Sequence, residues 1–585
     1  MSLICFNNFV HYPPEPSEDS PRMIVLSIND GHDSGACLLK DGQVLLVSNE
    51  ERRVNLKNHA GIPERSIRAM FDRTGVSPHD VDLIALVGTI RNSIPKLGQK
   101  PTYSVMHTIT SLARSEWATN VGRWLLPKVR KRADLLRCLI DVGLAGKPVK
   151  TFDHHLCHAA TAHFHRPWVD PATILTLDGA GDGICASVNV GRGDAIEVLS
   201  QTPKYHSPAV GLYSAITAHL GLRPYEHEYK VMGMAPYGQA EHSIAAIRGA
   251  FTVDGLKFRN HTGKYATGLY GYFHKKLYHH RFDNICAATQ LAFEEMMVEW
   301  VRNAVRATGV RKVVAAGGAF LNVKANKLIR ELPEVDALFV YPASDDGGTP
   351  IGGAILGYLE LCAQLRTTPS LDLPKNMYLG LQFTDAEMEV AAQASGLPYH
   401  RMADPAEEVG ELLANEKIVA RFFGREEIGP RALGNRSILA DPRDLRSIRK
   451  LNFAIKQRDF WMPFAASVLD EDKDRYIKKI TEWAFFMTEA FDTTAEGAER
   501  LVAGTHPFDR TIRPQVVNDS NPDYRDIIRA FRKHTGVGAL LNTSFNLHGS
   551  PIVGTPEVAL DTLKRSELDA IALGPFLVTK PKTGT

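Results

Sequence analysis

Short runs of apolar residues, separated by glycine-containing turns, mark the predicted strands of this chain. Residues 23–51 contain three such runs, MIVLSIN, GACLLK and QVLLVSN, and the Asp41-Gly42 pair between the last two is typical of a hairpin. Residues 172–200 contain three more, ATILTLD, GICASVNV and AIEVLS, again with glycine-rich turns between them. The pattern predicts two three-stranded units of the same plan.

The two units also share local sequence. DGHDSGAC at residues 30–37 parallels DGAGDGIC at residues 178–185, so in each unit the first strand ends in Asp-Gly and the second begins next to Cys. Two hairpins could be alike by chance, but we favour an internal duplication. Halves of this kind face each other across a cleft in ATPases of the actin and sugar-kinase type. We therefore predict a duplicated α/β ATPase fold with ribonuclease-H-like halves.

Further along, the pattern predicts strands followed by helices. Residues 312–332 and 337–358 each combine a strand, a glycine-rich loop and a helix. Glycines such as Gly317 and Gly318 let the backbone approach a ligand, and a helix N-terminus offers N–H groups to phosphate. Glycine pairs also serve close packing, so one unit alone is a weak signal. Two units together favour nucleotide binding.

The turn-rich stretch at residues 366–376 is the best candidate for a domain boundary. Beyond it the pattern predicts helices at residues 385–395 and 406–415 and a buried strand at residues 418–423. The predicted division is a disordered N-terminal extension at residues 1–22, a first domain at 23–370 and a second domain at 371–585. A chain of 585 residues is too long for a single hydrophobic core, which agrees with this division.

Charge and cysteine usage narrow the class of protein. Lys plus Arg number 68 and Asp plus Glu number 66, so the net charge of +2 gives no reason to expect nucleic acid or an anionic membrane as a partner. No apolar run approaches the roughly 18 residues of a membrane-spanning helix. The 7 cysteines form no Cys-x-x-Cys pair, which argues against a zinc ribbon and fits a reducing cytoplasm.

A candidate metal site lies at residues 151–183. His154 and His158 are four residues apart in an alanine-rich segment predicted to be helical, so both imidazoles lie on one face. The apolar run at residues 172–177 stops at Asp178, which could supply a third ligand. The alternative is that these histidines are hydrogen-bonded core residues.

A candidate anion site lies at residues 424–437, GREEIGPRALGNRS. Three arginines in a loop rich in glycine and proline are unusual, and the guanidinium fork matches phosphate and carboxylate oxygens. Surface ion pairing is the alternative for such arginines. Arg436 together with Asn435 could instead hold the loop together.

The motifs that carry a family resemblance run in order from residue 32 to residue 546. They are HDSGACLLKDG, EER, DHHLCHAA, TLDGAGDG, EYKVMGMAPYG, GGAFLNVKAN, PASDDGG, GREEIGPRALGNRSILADPR, LNxxIKxR and LNTSFN. With them the chain resembles the O-carbamoyltransferases of antibiotic and nodulation-factor biosynthesis. The resemblance implies a first domain like the ATPase-fold enzyme that makes threonylcarbamoyl-adenosine in tRNA. It implies a second domain like threonylcarbamoyl-adenylate synthase, a twisted α/β sheet.

The same resemblance implies two reactions. The C-terminal domain would combine carbamoyl phosphate with ATP into carbamoyl-adenylate. The intermediate would pass within the protein to the N-terminal domain, where a hydroxyl of a small-molecule acceptor attacks the carbamoyl carbon beside a metal ion. The resemblance places the metal ligands at His154, His158, Asp178 and Asp345, and the carbamoyl phosphate site at Arg431, Lys456, Arg513 and Ser544. We predict nucleotide contacts at Lys230, Gly317, Gly318, Asn322, Asn326 and Arg436, although Lys230 could instead cap a turn.

For the acceptor hydroxyl we predict His32, Asp33 and Lys57, with His32 favoured as general base or hydroxyl anchor. The expected cofactors are ATP with Mg and a divalent metal, for which Fe(II) is favoured over Zn or Mn. His155 and Asp182 are expected to support the metal ligands. A monomer or a homodimer is expected.

The chain departs from the family pattern at one place. Relatives usually carry Phe-Arg-Pro-Phe after LNxxIKxR, whereas this chain has Phe460-Trp461-Met462-Pro463-Phe464. Either the missing arginine is structural or the phosphate site is built differently. Residues 92–150, with their aromatic side chains, are predicted to shape the acceptor pocket.

Two other functions stay open. A hydrogenase-maturation carbamoyltransferase shares both domains but should carry an acylphosphatase-like region and zinc-finger cysteines. A non-catalytic nucleotide-binding sensor would not need a second phosphate site.

Overall fold

The computed structural model describes residues 22–89, 133–452 and 459–581. The predictions for residues 1–21, for much of residues 92–150 and for Lys456 lie outside these ranges. Within them, no helix combines the length and the apolar composition needed to cross a membrane.

The first half of the N-terminal domain is a five-stranded sheet. Its strands are β1 (Ile24–Asn29), β2 (Gly35–Lys40), β3 (Gln43–Asn49), β4 (Leu83–Val87) and β5 (Val149–Phe152), in the order β3-β2-β1-β4-β5. Its helices are α1 (Glu50–Val54), α2 (Glu64–Thr74), α3 (Ala133–Asp141) and α4 (His154–His165). The first three strands pair antiparallel and β4 joins β1 in parallel.

The second half repeats this topology. Its sheet contains β6 (Ala172–Gly181), β7 (Ile184–Arg192), β8 (Ala195–Pro203), β11 (Lys312–Ala316) and β12 (Ala337–Val340), and a separate hairpin contains β9 (Phe251–Asp254) and β10 (Lys257–Asn260). Its helices are α5 (Ala215–His219), α6 (Glu228–Met234), α7 (Ile244–Ile247), α8 (Thr267–Leu277), α9 (Phe282–Thr308), α10 (Val323–Arg330) and α11 (Thr349–Leu365).

The order β8-β7-β6-β11-β12 matches β3-β2-β1-β4-β5 strand for strand, and this confirms the predicted duplication of an ATPase-like fold. One detail differs from the prediction. The strand predicted to stop at Asp178 continues to Gly181, which pairs with Ile184 after an irregularity that begins at Leu177. The carboxylate of Asp178 therefore projects from a distorted strand end.

The two halves share a core between their sheets. Val25 and Val87 of the first sheet, Ile174 and Val314 of the second, and Ile355 of α11 belong to one buried apolar cluster. Helices α4 and α11 lie between the two sheets in this cluster. The N-terminus of α4 therefore opens at the cleft between the halves.

The C-terminal domain is built on an eight-stranded mixed sheet. Its strands are β13 (Tyr399–Arg401), β14 (Val419–Phe422), β15 (Arg436–Ala440), β16 (Ala465–Leu469), β19 (Gln515–Val517), β20 (Ala539–Ser544), β21 (Ala570–Leu573) and β22 (Phe576–Thr579), and the order is β13-β22-β21-β14-β15-β20-β16-β19. A short ribbon pairs β17 (Phe491–Asp492) with β18 (Thr511–Ile512). The helices are α12 (Asp385–Ser395), α13 (Pro405–Ala414), α14 (Leu445–Lys450), α15 (Lys473–Tyr476), α16 (Ala495–Arg500), α17 (Pro522–Thr535) and α18 (Pro556–Lys564).

The segment between the domains belongs structurally to both. Helix α11 ends at Leu365 and α12 begins at Asp385. Between them, Asp372 donates its N–H to Gly42 O, and Leu379 O accepts from Val47 N–H, so the connector lies along the first sheet. The boundary at residue 370 and the likeness of the second domain to threonylcarbamoyl-adenylate synthase stay predictions.

Candidate functional site

The predicted histidine pair meets two carboxylates at the start of α4. His154 Nε2 and His158 Nε2 lie 3.1 Å apart. Asp346 Oδ1 lies 3.3 Å from both nitrogens, and Asp178 Oδ2 lies 3.4 Å from His154 Nε2. One ligand atom from each of these four residues falls within 4.8 Å of all the others.

The chemistry of this donor set fits a divalent cation. One proton shared by the two imidazole nitrogens would satisfy both of them but would leave the carboxylate oxygens of Asp178 and Asp346 facing the pair, whereas a cation at the centre would satisfy all four ligand atoms. Burial lowers the pKa of His154, but the charges of Asp346 and Asp178 outweigh it and raise that pKa well above its usual value. Metal and protons therefore compete for the same pocket of negative charge.

The fourth ligand differs from the sequence prediction. Asp345 caps the short turn Asp346–Gly348, and its Oδ1 accepts the N–H of Gly347 at 3.1 Å. That bond directs Asp345 away from the four-residue cluster, and Asp346, the next residue, faces the histidines instead. Burial and neighbouring carboxylates raise the pKa of Asp345 to about 8.

Two neighbours hold the histidines in place. His155 Nδ1 lies 2.7 Å from Thr176 Oγ1, so its ring is fixed against β6. Asp182 Oδ2 accepts the N–H of His154 at 2.8 Å and the N–H of Thr89 at 2.9 Å. Asp182 thus connects the start of α4 to the end of β4. His155 and Asp182 both stabilise the segment that carries His154 and His158.

A cavity of about 780 Å³ opens in front of the cluster and is lined by both domains. Asp178, Asp345 and Asp346 form part of its wall. The other predicted site residues on its wall are His32, Asp33, Lys57, Gly318 and Asn322 from the N-terminal domain and Arg431, Arg513 and Ser544 from the C-terminal domain. The structure therefore brings most of the predicted residues to one space.

The wall built by the first duplicated turn carries His32 and Asp33. His32 Nδ1 lies 3.0 Å from Asp33 Oδ2, and 47% of the His32 side chain is exposed. Burial lowers the pKa of His32, but its hydrogen bond to Asp33 and the charges of Asp33, Asp346 and Asp178 together outweigh this and raise the pKa to about 10. A protonated imidazole suits a hydroxyl anchor better than a general base. Lys57 lies nearby, with Nζ 3.4 Å from Glu226 Oε1.

The part of the wall that the C-terminal domain builds carries the arginine loop. Glu427 is fully buried, and its Oε1 accepts the N–H groups of Leu433, Asn435 and Arg436 at 2.6, 3.2 and 3.1 Å. This carboxylate closes residues 427–436 into a fixed loop with Arg431 at the cavity. Ser544 lies at the end of the neighbouring strand β20.

Arg436 does not reach the cavity, which corrects its assignment to nucleotide binding. It is fully buried, Nη1 donates to Phe423 O at 2.6 Å, and Nη2 donates to Gly424 O at 3.1 Å. Its guanidinium lies 3.7 Å from the Phe422 ring centroid. Arg436 therefore holds the loop together, as the alternative interpretation had it.

Three other nucleotide assignments also fall outside the cavity wall. Asn326 is fully buried, and its Nδ2 donates to Phe320 O at 2.7 Å and Thr488 O at 2.8 Å, so it ties the domains together. Lys230 Nζ pairs with Asp459 Oδ2 at 2.9 Å. Gly317 has φ +103°, and an added Cβ would lie 2.3 Å from Leu177 O, which makes it a packing glycine.

The segment that departs from the family pattern packs on α6. Trp461 Nε1 donates to Lys230 O at 3.2 Å, and Met462 is 5% exposed against Gly233. An apolar side chain thus fills the position at which the family pattern predicts arginine.

Sequence reasoning missed some residues of the site. Asn49, Glu51 and Arg52 line the cavity together with Asp346. Glu51 and Arg52 lie in the EER motif, which contributed to the family resemblance. No chemical role was predicted for either residue. Nothing in the Asp345-Asp346 pair indicates which of the two faces the histidines.

Comparison with family models decides the family. The Carbamoyltransferase N-terminus model matches residues 25–355, and the Carbamoyltransferase C-terminus model matches residues 410–580. The chain belongs to the carbamoyltransferase family. It is a carbamoyltransferase enzyme, and each of its domains matches one of the two family models.

Named relatives agree with this family. The nodulation protein NolNO of Sinorhizobium fredii (strain NBRC 101917 / NGR234) is 30% identical over 94% of this chain and 79% of its own length. The 3'-hydroxymethylcephem-O-carbamoyltransferase of Amycolatopsis lactamdurans is 33% identical over 41% of this chain and 43% of its own length. Among solved structures, full-length HypF in its phosphate- and nucleotide-bound form is 12% identical over 57% of this chain and 55% of that chain, with a TM-score of 0.32. That similarity is too low to bear on function.

Proposed function

We propose that this carbamoyltransferase is an ATP-dependent O-carbamoyltransferase that makes carbamoyl-adenylate at its C-terminal domain and transfers the carbamoyl group to an acceptor hydroxyl at its N-terminal domain. The observation that carries the proposal is the shared cavity, which is lined by Arg431 and Arg513 of the C-terminal domain and by Asp178 and Asp346 of the N-terminal domain. An intermediate formed at one wall would reach the other without entering bulk water.

Each wall suits its own half of the reaction. Carbamoyl phosphate is a small dianion, and Arg431 and Arg513 with the hydroxyl of Ser544 offer charge-assisted hydrogen bonds to its oxygens. Lys456, outside the described residues, is proposed as a further cation. Asn322 and Gly318 are proposed as nucleotide contacts.

At the other wall, His154, His158, Asp178 and Asp346 would hold the divalent metal, which would supply Lewis-acid polarisation of the intermediate's oxygens. His32 would donate a hydrogen bond to the acceptor hydroxyl and Asp33 would fix its ring. Iron is the proposed metal, ATP with Mg the proposed nucleotide, and the reducing cytoplasm the proposed location. The proposed acceptor is a natural product such as an antibiotic, a sugar or a polyketide.

The experiment supplies metal-loaded protein with carbamoyl phosphate and ATP. Inorganic phosphate and pyrophosphate should both appear without any acceptor, because water must take the phosphoryl group of carbamoyl phosphate before the carbamate oxygen attacks the α-phosphorus of ATP and displaces pyrophosphate. AMP should appear when a hydroxyl acceptor is added. Absence of pyrophosphate from metal-loaded protein would remove the proposal. A panel of hydroxyl compounds, scored by AMP release and by the mass increase of the product, would identify the acceptor class.

A non-catalytic nucleotide sensor is the competing function. Calorimetric titration separates the two, since a sensor would bind ATP but not carbamoyl phosphate. The hydrogenase-maturation alternative is less favoured because none of the 7 cysteines forms a Cys-x-x-Cys pair.

A further inference from the structure

One arginine of the N-terminal domain is buried inside the arginine loop of the C-terminal domain. Arg52, on the short helix α1, is 3% exposed. Its Nη1 donates to Glu427 O at 2.5 Å, and its Nη2 donates to Gly429 O at 2.9 Å. Both acceptors are main-chain carbonyls, so this contact fixes the path of the loop backbone.

Those two carbonyls belong to residues four and two positions before Arg431 in the chain. Gly429 has φ +102°, and an added Cβ would lie 3.2 Å from Ala343 Cα and from Pro342 O. The loop therefore turns sharply where it touches the segment that leads to Asp346. Arg52 holds this turn from the other side, close to both walls of the cavity.

The neighbouring arginine differs in what it contacts. Arg53 Nη2 donates to Glu426 Oε2 at 2.6 Å, and its Nη1 donates to Gly554 O at 3.2 Å. These bonds also cross the domain interface, but none of them reaches the carbonyls beside Arg431. Arg53 is thus a matched control for docking of the domains.

We propose that Arg52 is a positioning residue that acts through Arg431. By holding the Glu427 and Gly429 carbonyls, it sets the turn from which Arg431 enters the cavity. A guanidinium can donate to two carbonyls from two fixed nitrogens, whereas an ammonium is a single point donor. The inference rests on the proposed binding of carbamoyl phosphate by Arg431, and it assigns the N-terminal domain a part in building that site.

The test measures pyrophosphate release as a function of carbamoyl phosphate in wild type, Arg52→Lys, Arg52→Ala and Arg53→Ala. Arg52→Lys should raise the KM for carbamoyl phosphate about tenfold and leave the KM for ATP within about twofold. Arg53→Ala should lower the melting temperature without changing the KM for carbamoyl phosphate. Added guanidinium ion should partly restore Arg52→Ala, because it can occupy the emptied position.

A double-mutant cycle with inorganic phosphate as the calorimetric probe tests the route through Arg431 without turnover. If Arg52 acts through Arg431, Arg52→Lys should weaken phosphate binding in the wild-type background. In a protein that already carries Arg431→Ala, Arg52→Lys should not weaken phosphate binding further. Additive effects, or an unchanged phosphate affinity in Arg52→Lys, would overturn the inference. If the wild type itself releases no pyrophosphate, the proposed function is ruled out. The double-mutant cycle measured by phosphate binding would still decide the role of Arg52.

Discussion

The two ends of the cavity hold their charges in different ways. At the metal end, His154 and His158 lie on a regular helix and Asp178 on a strand, while Asp346 lies in a short turn, and all four belong to the N-terminal domain. At the anion end, Arg431 and Arg513 lie on loops between elements of the C-terminal domain. Three of the four metal ligands are placed by regular secondary structure, whereas both arginines are placed by loop backbone.

This difference has a consequence for sensitivity to change. Ligands carried by helices and strands keep their positions when distant contacts are lost, because their own backbone bonds remain. A loop keeps its path only while its anchors remain, and here these include Glu427 and the N-terminal Arg52. We therefore expect the metal end to be sensitive mainly to removal of a ligand, and the anion end to be sensitive also to removal of an anchor.

Removal of a metal ligand should give the largest effect and separate the two ends. His158→Ala should lower carbamoyl transfer by about 1,000-fold, because metal affinity is lost, and leave carbamoyl-adenylate formation nearly intact. Pyrophosphate release and AMP release measure the two half-reactions separately. Cys157→Ala, a buried neighbour on the same helix, is the control. Equal loss of both half-reactions in His158→Ala would contradict the division between the ends.

Replacement of the cavity-facing arginine should affect the other half-reaction. Arg431→Ala should raise the KM for carbamoyl phosphate by about 100-fold, since a charge-assisted hydrogen bond to a dianion is lost. Arg436→Ala should instead destabilise the fold by about 3 kcal/mol, because its carbonyl partners are left buried without a donor. Initial rates and thermal melts of both variants separate the two roles. A raised KM together with an unchanged melting temperature in Arg436→Ala would reverse the assignment made from its burial.

The adjacent aspartates provide a sharper test of the metal end. Asp346→Asn should weaken metal binding about tenfold, because a neutral amide oxygen replaces a carboxylate ligand. Asp345→Asn should leave metal affinity nearly unchanged, since that side chain caps the turn through Gly347. Metal content after dialysis against a chelator measures both variants. The opposite ranking would restore Asp345 as the ligand.

How far the sequence predicts this molecule follows from the same comparison. The first three strands of the first half, the repeat at residues 172–200 and the helix that carries His154 and His158 were predictable, because their periodicity is local and strong. Strands β4 and β5 were not predicted. His154, His158 and Asp178 could be grouped because helix spacing and a strand end determine which way they face. The fold of the duplicated domain is confirmed by its strand order.

What could not be predicted depends on contacts between distant residues. Whether Arg431 or Arg436 faces the cavity is decided by Glu427 and by the carbonyls of Phe423 and Gly424, which no spacing rule locates. The choice between Asp345 and Asp346 depends on one turn. The part played by Arg52 exists only once the domains are docked, and the EER motif gives no sign of it.

The smallest expected effect concerns the interface that keeps the two ends together. Glu489 of the C-terminal domain is 3% exposed, and its Oε2 accepts from Arg330 Nη1 of α10 at 2.9 Å. Burial raises the pKa of Glu489 and the charge of Arg330 lowers it. The effect of burial is larger, and the resulting pKa is about 7. Because the folded-state pKa lies above the unfolded value, the native state binds the extra proton.

The stability that this proton provides is fully present below the unfolded pKa of about 4.5 and is lost as the pH rises through about 7. We expect the free energy of unfolding in urea to fall by about 1 to 2 kcal/mol between about pH 5 and about pH 8 on account of Glu489. Glu489→Gln, which cannot ionise, should lose that part of the slope while keeping the packing against Arg330. The same slope in wild type and variant would show that Glu489 ionises at its ordinary pKa, and that the domain interface is wetter than its burial indicates.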